Sequence, residues 1–434
     1  MSCNWPIVKL GDYCSKIGSG ATPKGGNSVY LDHGEISLIR SQNIYNEGFK
    51  SDGLVYITPE AAQKLKNVII EPNDVLINIT GDSVARVCLA PNEFLPARVN
   101  QHVAILRVDP EEFDHRYLRY FLTSTKMQNY LLTIASTGGT RNALTKSMLE
   151  SLEVSKPSLD VQKRIGDVLE SFESKIELNS RTNQTLEEMA QAIFKSWFVD
   201  FDPVKAKMNG EQPEGMDTAT ASLFPEKLVE SELGLIPDGW NLSEIGDEVT
   251  VVGGGTPSKK NDDFWIDGHI HWTSPKDLSG VQDKVLLDTA SKVTEAGLKK
   301  ISSGLLPVDT VLLSSRAPVG YLALAKVPLA INQGYIAMKC EKQLPPEFVL
   351  QWCVHRMDEI KQRASGSTFA EISKKSFKPI SVVVPTGEVL SAYQKLVKPL
   401  YDAITSNARQ NEQLACLRDT LLPKLLSGDL SLSG

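Results

Sequence analysis

What the sequence lacks already removes several classes of protein. No apolar run in its 434 residues is long enough to span a membrane, and the opening "MSCNWPIVKLGDY" has no charged region followed by a long apolar one. We therefore expect a cytoplasmic protein without a membrane segment. The chain is also too long for one ordinary hydrophobic core, so two or more domains are expected.

Motifs for disulfides, metals and nucleotides are missing as well. The cysteines are scattered without a C-x-x-C pair, so reduced thiols are expected: Cys3, Cys14, Cys88, Cys340, Cys353 and Cys416. The histidines form no H-E-x-x-H, and His269 and His271 flank one residue as strand neighbours do, so we expect no metal site. The glycine-rich "GSGATPKGG" lacks the Lys-Ser/Thr that closes a P-loop, and we interpret it as a turn near phosphates.

An excess of basic residues is also absent. The formal net charge is −7, which by itself argues against a nucleic-acid partner. The acidic excess is confined to residues 158–200, with 5 Lys or Arg against 8 Asp or Glu, and residues 201–236, with 3 against 7. Residues 1–157 carry 16 of each sign and residues 237–385 carry 17 of each. These two large neutral segments can therefore concentrate basic side chains on one face.

The chain contains an internal duplication. The segment "WPIVKLGDYCSKIGSGATP" (5–23) returns as "WNLSEIGDEVTVVGGGTP" (240–257), and "IELNSRTNQTL" (176–186) returns as "ITSNARQNEQL" (404–414). Between them, "EPNDVLI" matches "LPVDTVLL" and "VNQHVAIL" matches "INQGYIAM" in the same order. A period near 230 residues is too long for a solenoid. The sequence therefore predicts two copies of one domain related by pseudo-twofold symmetry.

Each copy has a globular part and a helical part. Short β-type runs such as "DVLINIT" and "VAILRV" mix with turn residues and helical stretches, which predicts a mixed α/β domain. The helical part of the first copy has mostly apolar residues at steps of three and four, a spacing typical of coiled coils: Val161, Ile165, Val168, Phe172, Ile176, Asn179, Asn183, Leu186, Ala190, Ile193 and Trp197. These 37 residues would span about 55 Å at about 1.5 Å per residue.

These patterns divide the chain into five segments. Globular domains are expected at 1–157 and 237–385, long helices at 158–200 and 386–434, and an acidic linker at 201–236. The predicted fold class is α/β (α+β), with two pseudo-twofold-related globular domains joined by two long antiparallel coiled-coil helices.

Asparagines interrupt the helical stripes of both copies. Burying an amide costs free energy unless it is paired, and an Asn at a core position commonly fixes helix register. Antiparallel packing would bring together Asn179 with Asn411, Asn183 with Asn407, Ile176 with Leu414 and Leu186 with Ile404. The alternative is that the four asparagines are solvent-exposed.

With these blocks in place, the chain resembles the specificity subunit of a type I restriction–modification enzyme over essentially its full length. The resemblance is carried by "GSGATP" and "GGGTP", the pairs Asn100-Gln101 and Asn332-Gln333, "ASTGGT" and "ASGST", "IFKSWFVDFDPV" and "LRDTLLPKLLSGDL". It implies a non-catalytic DNA-recognition subunit whose two target-recognition domains each bind one half of a split site in double-stranded DNA. The two halves of the chain differ in sequence, so the site should be asymmetric.

The resemblance also implies partners and assigns the chemistry to them. The long helices would set the half-site spacing and dock two methyltransferase (modification) subunits, and restriction/translocase subunits can join the assembly. S-adenosylmethionine, ATP and Mg²⁺ would be bound by those other chains. For this chain the resemblance implies no catalytic residue, no metal, no cofactor and no membrane partner.

The ends of the two helices are candidates for contacts with the docked partner. Aromatic residues share one face at helical spacing in the first copy, and leucines replace them in the second: Phe194, Trp197, Phe198, Phe201, Leu422, Leu425 and Leu426. Such side chains supply large buried area at interfaces, but they could equally seat the helix against its own chain. Asp202-Pro203 resembles a methyltransferase motif only superficially, because Val204 stands where a second Pro belongs.

Loops that end the β-runs supply side chains suited to DNA. Base readout uses Arg or Lys for guanine and Asn or Gln for adenine, while other polar groups contact phosphates. In the first copy the candidates are Thr22, Lys24, Arg40, Gln42, Asn43, Arg86, Gln101, Thr140 and Arg141. In the second copy they are Thr256, Lys259, Lys260, Ser274, Lys276, Arg316, Gln333, Ser367 and Thr368. A solvated surface role is the alternative for each, and Asn100-Gln101 could cap backbone groups.

Three other functions compete with this interpretation. A self-contained DNA methyltransferase would need a glycine-rich cofactor loop after a strand and an N/D-P-P-F/Y/W tetrapeptide, and the sequence has neither. A coiled-coil scaffold would explain the helices but not two non-identical globular modules. A specificity subunit of a fused methyltransferase–nuclease (type IIB-like) system stays open, because the sequence barely separates it from the type I case.

Overall fold

A computed structural model describes residues 5–23, 25–136, 142–366 and 370–430. The chain divides into two units: unit 1 comprises Met1–Lys175 with Leu414–Gly434, and unit 2 comprises Ile176–Gln413. Within the described part of the chain, no helix is both long enough and apolar enough to cross a membrane.

Unit 1 is built on a four-stranded and a three-stranded sheet. Its strands are β1 (Ile7–Lys9), β2 (Cys14–Ser19), β3 (Ile36–Ile39), β4 (Ile44–Tyr45), β5 (Gly48–Phe49), β6 (Val55–Ile57), β7 (Val75–Asn78), β8 (Val87–Leu89), β9 (Ala97–Val99), β10 (Val103–Val108) and β11 (Glu153–Ser155). The larger sheet has the antiparallel order β2-β10-β7-β8, and the smaller has the order β6-β3-β9. All of β7 is buried, as expected for an apolar strand covered on both faces.

The helices of unit 1 cover these sheets. They are α1 (Pro59–Lys64), α2 (His115–Thr123), α3 (Thr125–Ser136), α4 (Lys146–Glu150) and the first part of α5 (Leu159–Phe198). Helix α2 begins after Asp114, whose Oδ1 accepts hydrogen bonds from the N–H groups of Arg116 (2.9 Å) and Tyr117 (3.2 Å). This N-cap satisfies amide groups that the first turn of a helix leaves unpaired.

Unit 2 repeats the plan with one additional strand in the larger sheet. Its strands are β12 (Leu228–Ser231), β13 (Gly234–Pro237), β14 (Asn241–Glu244), β15 (Thr250–Val252), β16 (Ile270–Thr273), β17 (Val285–Leu286), β18 (Ser291–Val293), β19 (Val311–Ser314), β20 (Leu322–Ala325), β21 (Leu329–Ile331), β22 (Tyr335–Lys339) and β23 (Ser381–Val384). The sheet orders are β15-β22-β19-β20-β17 and β18-β16-β21. Its helices are the second part of α5, α6 (Asp202–Met208), α7 (Thr218–Ser222), α8 (Ile245–Glu248), α9 (Pro275–Leu278), α10 (Glu295–Leu298), α11 (Pro346–His355), α12 (Met357–Gln362), α13 (Lys374–Phe377) and the first part of α14 (Gly387–Ser427), whose last part belongs to unit 1.

Matching strand pairs identify the duplication in the structure. In unit 1 the central strand β3 of the smaller sheet runs parallel to β9, with Ile39 opposite Val99. In unit 2 the equivalent strand β16 runs parallel to β21, with Thr273 opposite Ile331. In both units an antiparallel strand flanks the other edge of this central strand. The predicted duplication of a mixed α/β domain is confirmed.

Helices α5 and α14 pack antiparallel within unit 2. The Asn179 amide donates to Asn411 Oδ1 at 2.9 Å, and the Asn407 amide donates to Asn183 Oδ1 at 2.9 Å. From Asn179 to Asn183 the residue number rises by four on α5, while the number of the paired asparagine on α14 falls by four, as antiparallel helices require. Asn179 and Asn183 are 2% and 1% exposed, so each is a buried amide that pairs with an asparagine of the opposite helix.

The apolar pairs expected beside these amides have different outcomes. Ile404 is fully buried in the core of unit 2, and Leu186 packs against that core. Ile176 belongs to unit 2 and Leu414 to unit 1, so the contact between these two side chains stays a prediction.

The segment 201–236, expected to be a linker, is folded onto unit 2. It contains α6, α7 and the hairpin of β12 and β13. Val204 and Phe224 are buried in the core of this unit. The acidic composition predicts a linker between the two copies, and the structure shows that apolar side chains between the acids pack against the core of unit 2.

Candidate nucleic-acid interface

In unit 1 a glycine-rich loop lies directly against the Asn-Gln loop. The Gly20 N–H donates to Asn100 O at 3.1 Å. A Cβ on Gly20 would lie 1.7 Å from Val99 O, so only glycine permits this approach. The Thr22 hydroxyl then donates to Gln101 Oε1, and both side chains are exposed.

Unit 2 forms the same Thr–Gln side-chain contact from its own copy of the motif, beside a backbone hydrogen bond between different positions. The Gly255 N–H donates to Ile331 O at 3.0 Å, and the Thr256 hydroxyl donates to Gln333 Oε1 at 2.6 Å. A Cβ on Gly254 would lie 1.8 Å from Ile331 O. We call this Thr–Gln pair, present once in each unit, the threonine–glutamine latch. It fixes the orientation of an exposed amide, a group that can read adenine.

The asparagine beside each latch has a structural role. Asn100 Oδ1 accepts from the His102 N–H at 3.0 Å, and Asn332 Oδ1 accepts from the Gly334 N–H at 2.8 Å. These asparagines therefore cap the turn, which is one of the two roles expected for the motif. The neighbouring glutamines are left to face solvent.

His102 was not among the candidates, although it follows the Asn-Gln pair directly. The Gln101 Nε2 atom lies 2.9 Å from His102 Nε2, and His102 Nδ1 lies 2.5 Å from Thr80 Oγ1. In unit 1 the His102 imidazole thus contacts the glutamine of the latch, whereas unit 2 has Gly334 at the equivalent position. The only sequence signal was a polar ring next to the motif in one copy.

Asn43 is buried and holds its own loop together. Its amide donates to the carbonyls of Lys50 (2.9 Å) and Asp52 (3.2 Å), and its Oδ1 accepts from the Arg40 N–H at 3.2 Å. The side chain is fully buried. The expected DNA contact by Asn43 is therefore corrected to a structural role, because a buried amide with satisfied partners has no face for a base.

The equivalent loop of unit 2 has the same cap. Asp277 Oδ2 accepts from the Ser274 N–H at 2.8 Å and from the Ser274 hydroxyl at 3.0 Å. The Ser274 hydroxyl hydrogen is used in this capping box at the start of α9. Lys276, inside α9, is exposed.

Three candidate arginines contact a carbonyl, an aromatic ring or a carboxylate of their own unit. Arg40 donates to Gly53 O at 2.6 Å, the carbonyl that also accepts from Gln42 at 3.2 Å. Arg86 stacks over the Tyr45 ring at 4.6 Å from its centroid. Arg316 lies 3.8 Å from a Glu371 carboxylate oxygen. Guanidinium groups of this kind can contact phosphate or guanine.

Unit 2 gathers most of its described candidates around two neighbouring grooves. A groove of about 1140 Å³ is lined by Thr256, Lys259, Ser274, Lys276 and Gln333. A second, of about 380 Å³, is lined by Ser274, Lys276 and Arg316. Lys260 lines neither groove. In unit 1 the contacts of the described side chains link Thr22 with Gln101 and Arg40 with Gln42.

Carboxylates share the larger groove with these lysines, which sequence reasoning did not anticipate. Burial raises the pKa of Glu412, and the nearby charge of Asp288 raises it further. Burial also acts to raise the pKa of Asp288, but the Thr289 N–H and the charge of Lys292 outweigh it, and the pKa of Asp288 lies below its usual range. The groove can thus offer ammonium groups to phosphates and carboxylates to base amino groups.

Five candidates fall outside the described residues: Lys24, Thr140, Arg141, Ser367 and Thr368. Their contacts with DNA stay predictions. Within the described residues, no group of three or more His, Cys, Asp or Glu side chains is arranged to hold a metal ion.

The residues predicted to meet a partner are largely buried within their own unit. Trp197 packs edge-on against Phe224 at 5.0 Å, and Phe198 packs against Phe348 at 4.9 Å, both between ring centroids. Phe194 joins this core of unit 2, and Leu425 is fully buried in the core of unit 1. The partner contact is therefore corrected for Phe194, Trp197, Phe198 and Leu425, which seat the helices against their own chain.

The remaining helix-end residues are only partly buried. Phe201 lies between α5 and α6 with a left-handed φ of 56°, and it packs against Trp240 at 5.8 Å between ring centroids. Leu422 and Leu426 pack at the margin of the core of unit 1. A partner contact by these three side chains stays a prediction.

The described residues thus form a duplicated mixed α/β domain with two antiparallel helices and one threonine–glutamine latch in each unit. Residues 3–188 and 237–415 match the family model "Type I restriction modification DNA specificity domain". The chain therefore belongs to the family of type I restriction–modification DNA specificity subunits.

Relatives in this family match along almost the whole chain. The specificity subunit of the type I restriction enzyme HindI from Haemophilus influenzae is 29% identical, over 98% of this chain and 100% of that protein. The MjaIX specificity subunit from Methanocaldococcus jannaschii is 25% identical, over 98% of this chain and 94% of that protein. The crystal structure of a type I S subunit from M. genitalium has the same fold, with a TM-score of 0.60 at 17% identity over 99% of this chain and 97% of that one.

Proposed function

We propose that this chain reads a split, asymmetric sequence in double-stranded DNA, with one recognition domain (residues 1–157 and 237–385) on each half-site. The observation that carries the proposal is the threonine–glutamine latch, which recurs at the equivalent place in both units. The residues around the latches differ between the units, as the His102 and Gly334 positions show. Two domains of the same fold with different residues around their latches suit two half-sites of different sequence.

The long helices act as the spacer. Helix α5 has 40 residues and α14 has 41, and their buried amide pairs fix one antiparallel register within unit 2. A fixed register gives a fixed length, which is what a reader of two separated half-sites requires.

Catalysis is assigned to partner chains. Two methyltransferase subunits dock on this chain and carry S-adenosylmethionine, and restriction/translocase subunits bring the ATP- and Mg²⁺-dependent steps. This chain itself contributes no cofactor site and no catalytic group. Because its proposed partner is cellular DNA, we place it in the cytoplasm.

Long-read methylation mapping tests the proposal. The full chain is expressed with the methyltransferase encoded beside its gene, in a host that lacks other modification systems. We expect methylated adenines in a motif with two unlike specified halves separated by a fixed unspecified spacer. The methyltransferase expressed alone is the control, and it should leave no such motif. A continuous or palindromic motif, or the same motif in the control, would reject the proposal.

A further inference from the structure

One turn of the second recognition domain (residues 237–385, recognition domain 2) contacts α5 where this helix packs against α14. We call its two residues, Asp283 and Lys284, the hook. The Lys284 ammonium lies 3.0 Å from Glu187 Oε1 on α5. Asn183, the residue whose amide pairs with Asn407, lies one turn before Glu187 on α5. Lys284 thus joins this domain to α5 one turn from the paired amides.

The carboxylate that receives the hook is already surrounded by polar partners. Tyr401 on α14 donates to Glu187 Oε2 at 2.7 Å, and Gln351 on α11 donates to Glu187 Oε1 at 3.1 Å. Gln351 and Tyr401 also contact each other at 2.6 Å. Glu187 is 9% exposed. A buried charge with this many partners adds little to stability compared with apolar packing, but it specifies one geometry.

The backbone of the hook is strained and firmly attached. Lys284 has a φ of 50°, a left-handed conformation that costs free energy for any residue with a side chain. Its carbonyl accepts from the Leu324 N–H at 2.8 Å, and β17 follows immediately and pairs in parallel with β20. Such a conformation persists only where surrounding contacts determine it. The hook is therefore a rigid extension of the five-stranded sheet.

The hook also adjoins the candidate interface with DNA. Asp283 lines the groove that contains Thr256, Lys276 and Gln333. The same short segment therefore joins the proposed reading surface to the helix pair.

Unit 1 has a comparable anchor built from other residues. Arg119 on α2 donates to both carboxylate oxygens of Glu173 on α5, at 2.7 and 2.8 Å, and the Tyr120 hydroxyl donates to it at 2.9 Å. Arg119 also donates to Asn46 O at 2.6 Å. In each unit a carboxylate on α5 is therefore held by the recognition domain.

We propose that Lys284 is a positioning residue that fixes recognition domain 2 on the helix pair and thereby restricts the DNA spacer to one length. This inference rests on the proposed function, because it concerns how that function measures distance. The hook touches no base in this scheme; it acts through the domain that carries the reading groove.

The test uses the full chain in complex with its methyltransferase subunits and duplexes with the mapped half-sites. Spacers of the mapped length, one base pair longer and one base pair shorter are compared for wild type and Lys284→Gly, which removes the ammonium group and relieves the strained φ. Lys284→Asn is the second variant, since Asn tolerates the left-handed conformation. Asp267→Gly is the matched control, because Asp267 is an exposed residue of the same domain with a φ of 58°.

We expect both Lys284 variants to lose spacer discrimination by about fivefold, the size of one coupled contact. Their affinity for the mapped spacer should change less, Lys284→Arg should restore discrimination, and Asp267→Gly should match wild type. Wild-type discrimination in both Lys284 variants, or equal weakening on all three spacers, would overturn the inference while the proposed function stands. Failure of the wild-type complex to prefer any split duplex would overturn the proposed function itself.

Discussion

At the scale of single residues, Gly254 lies so close to the backbone of Ile331 that there is no room for a side chain. A Cβ at this position would meet Ile331 O at 1.8 Å, whereas a Cβ on the adjacent Gly255 would have its nearest neighbour, Lys300 O, at 3.8 Å. The two glycines thus differ in the space available although they share one loop. The close approach of the loop beside the Thr256–Gln333 latch therefore requires glycine at position 254.

Replacing these glycines should separate their roles. We expect Gly254→Ala to lower the free energy of unfolding by about 1–3 kcal/mol through overpacking, and to weaken DNA binding because the latch shifts. Gly255→Ala should change stability by about 0.5 kcal/mol or less. Urea unfolding and DNA titration of the full chain measure both effects. Equal stability of the two variants would contradict the close approach.

Asp114 gives a prediction about pH. Burial acts to raise the pKa of Asp114, but hydrogen bonds from the Arg116 side chain and the Tyr117 N–H outweigh it, so the pKa lies below its usual range. The stabilisation is therefore complete above the unfolded pKa of about 3.9 and is lost as pH falls through the lowered folded pKa. Asp114→Asn should lose about 1–3 kcal/mol of stability at pH 7, and its difference from wild type should shrink toward pH 2.

Thermal or urea unfolding at both pH values checks this dependence. Asp167→Asn is the control, because Asp167 also contacts Arg116 but its side chain is 65% exposed. Exposed pairs contribute little, so this variant should stay close to wild type. A pH-independent difference for Asp114→Asn would show that the charge of Asp114 is not what stabilises the helix.

Residue types alone identified part of the candidate site. Thr22, Gln101, Thr256 and Gln333 were chosen because polar side chains followed β-runs in both copies, and the structure pairs them. The buried role of Asn43 could not be foreseen, because its partners are the carbonyls of a turn that folds back seven or more residues later. A side chain that could bind a base and one that holds a loop have the same donors and acceptors.

At the scale of elements, the aromatic end of α5 is a structural anchor. Trp197 is 6% exposed and lies among the rings of Phe224, Phe198 and Tyr393. Trp197→Ala should therefore destabilise the protein by about 3–5 kcal/mol, as expected for a large buried aromatic. Leu178→Ala, on the same helix at a side chain 57% exposed, should cost about 0.5 kcal/mol or less.

Urea unfolding monitored by far-UV circular dichroism, a signal that does not depend on Trp197, measures the stability of both variants. Similar stability of the two would mean that the aromatic cluster does not hold the helix end against unit 2.

Helical periodicity located the long elements closely. Helices expected at 158–200 and 386–434 are observed as Leu159–Phe198 and Gly387–Ser427. Composition predicts an acidic linker at 201–236 but does not reveal which of its side chains are buried in unit 2, such as Val204 and Phe224. Short strands such as β17, with two residues, exist only through their neighbours and leave no pattern of their own.

At the scale of the whole molecule, net charge misleads about the partner. The charge of −7 comes from residues 158–236, whereas both globular domains are neutral. Lysines at the proposed reading surface, such as Lys259 and Lys276, would replace counterions on DNA. We therefore expect affinity to fall about a thousandfold between 50 and 200 mM salt if about six phosphates are contacted.

Fluorescence anisotropy of a labelled duplex with the full complex, over a salt series, measures this slope. Potassium glutamate and chloride series run in parallel provide the control for anion effects. An affinity independent of salt would contradict a grip on the DNA backbone.

The paired asparagines of α5 and α14 also bear on how the chain reaches its native state. If the helices slid past each other by one turn, Asn179 would still meet Asn407, but the Asn183 amide would be placed against Ala403. A buried amide without a partner costs about 1–3 kcal/mol, so the shifted alignment is less stable than the native one. The paired amides therefore favour the native alignment of the helices during folding.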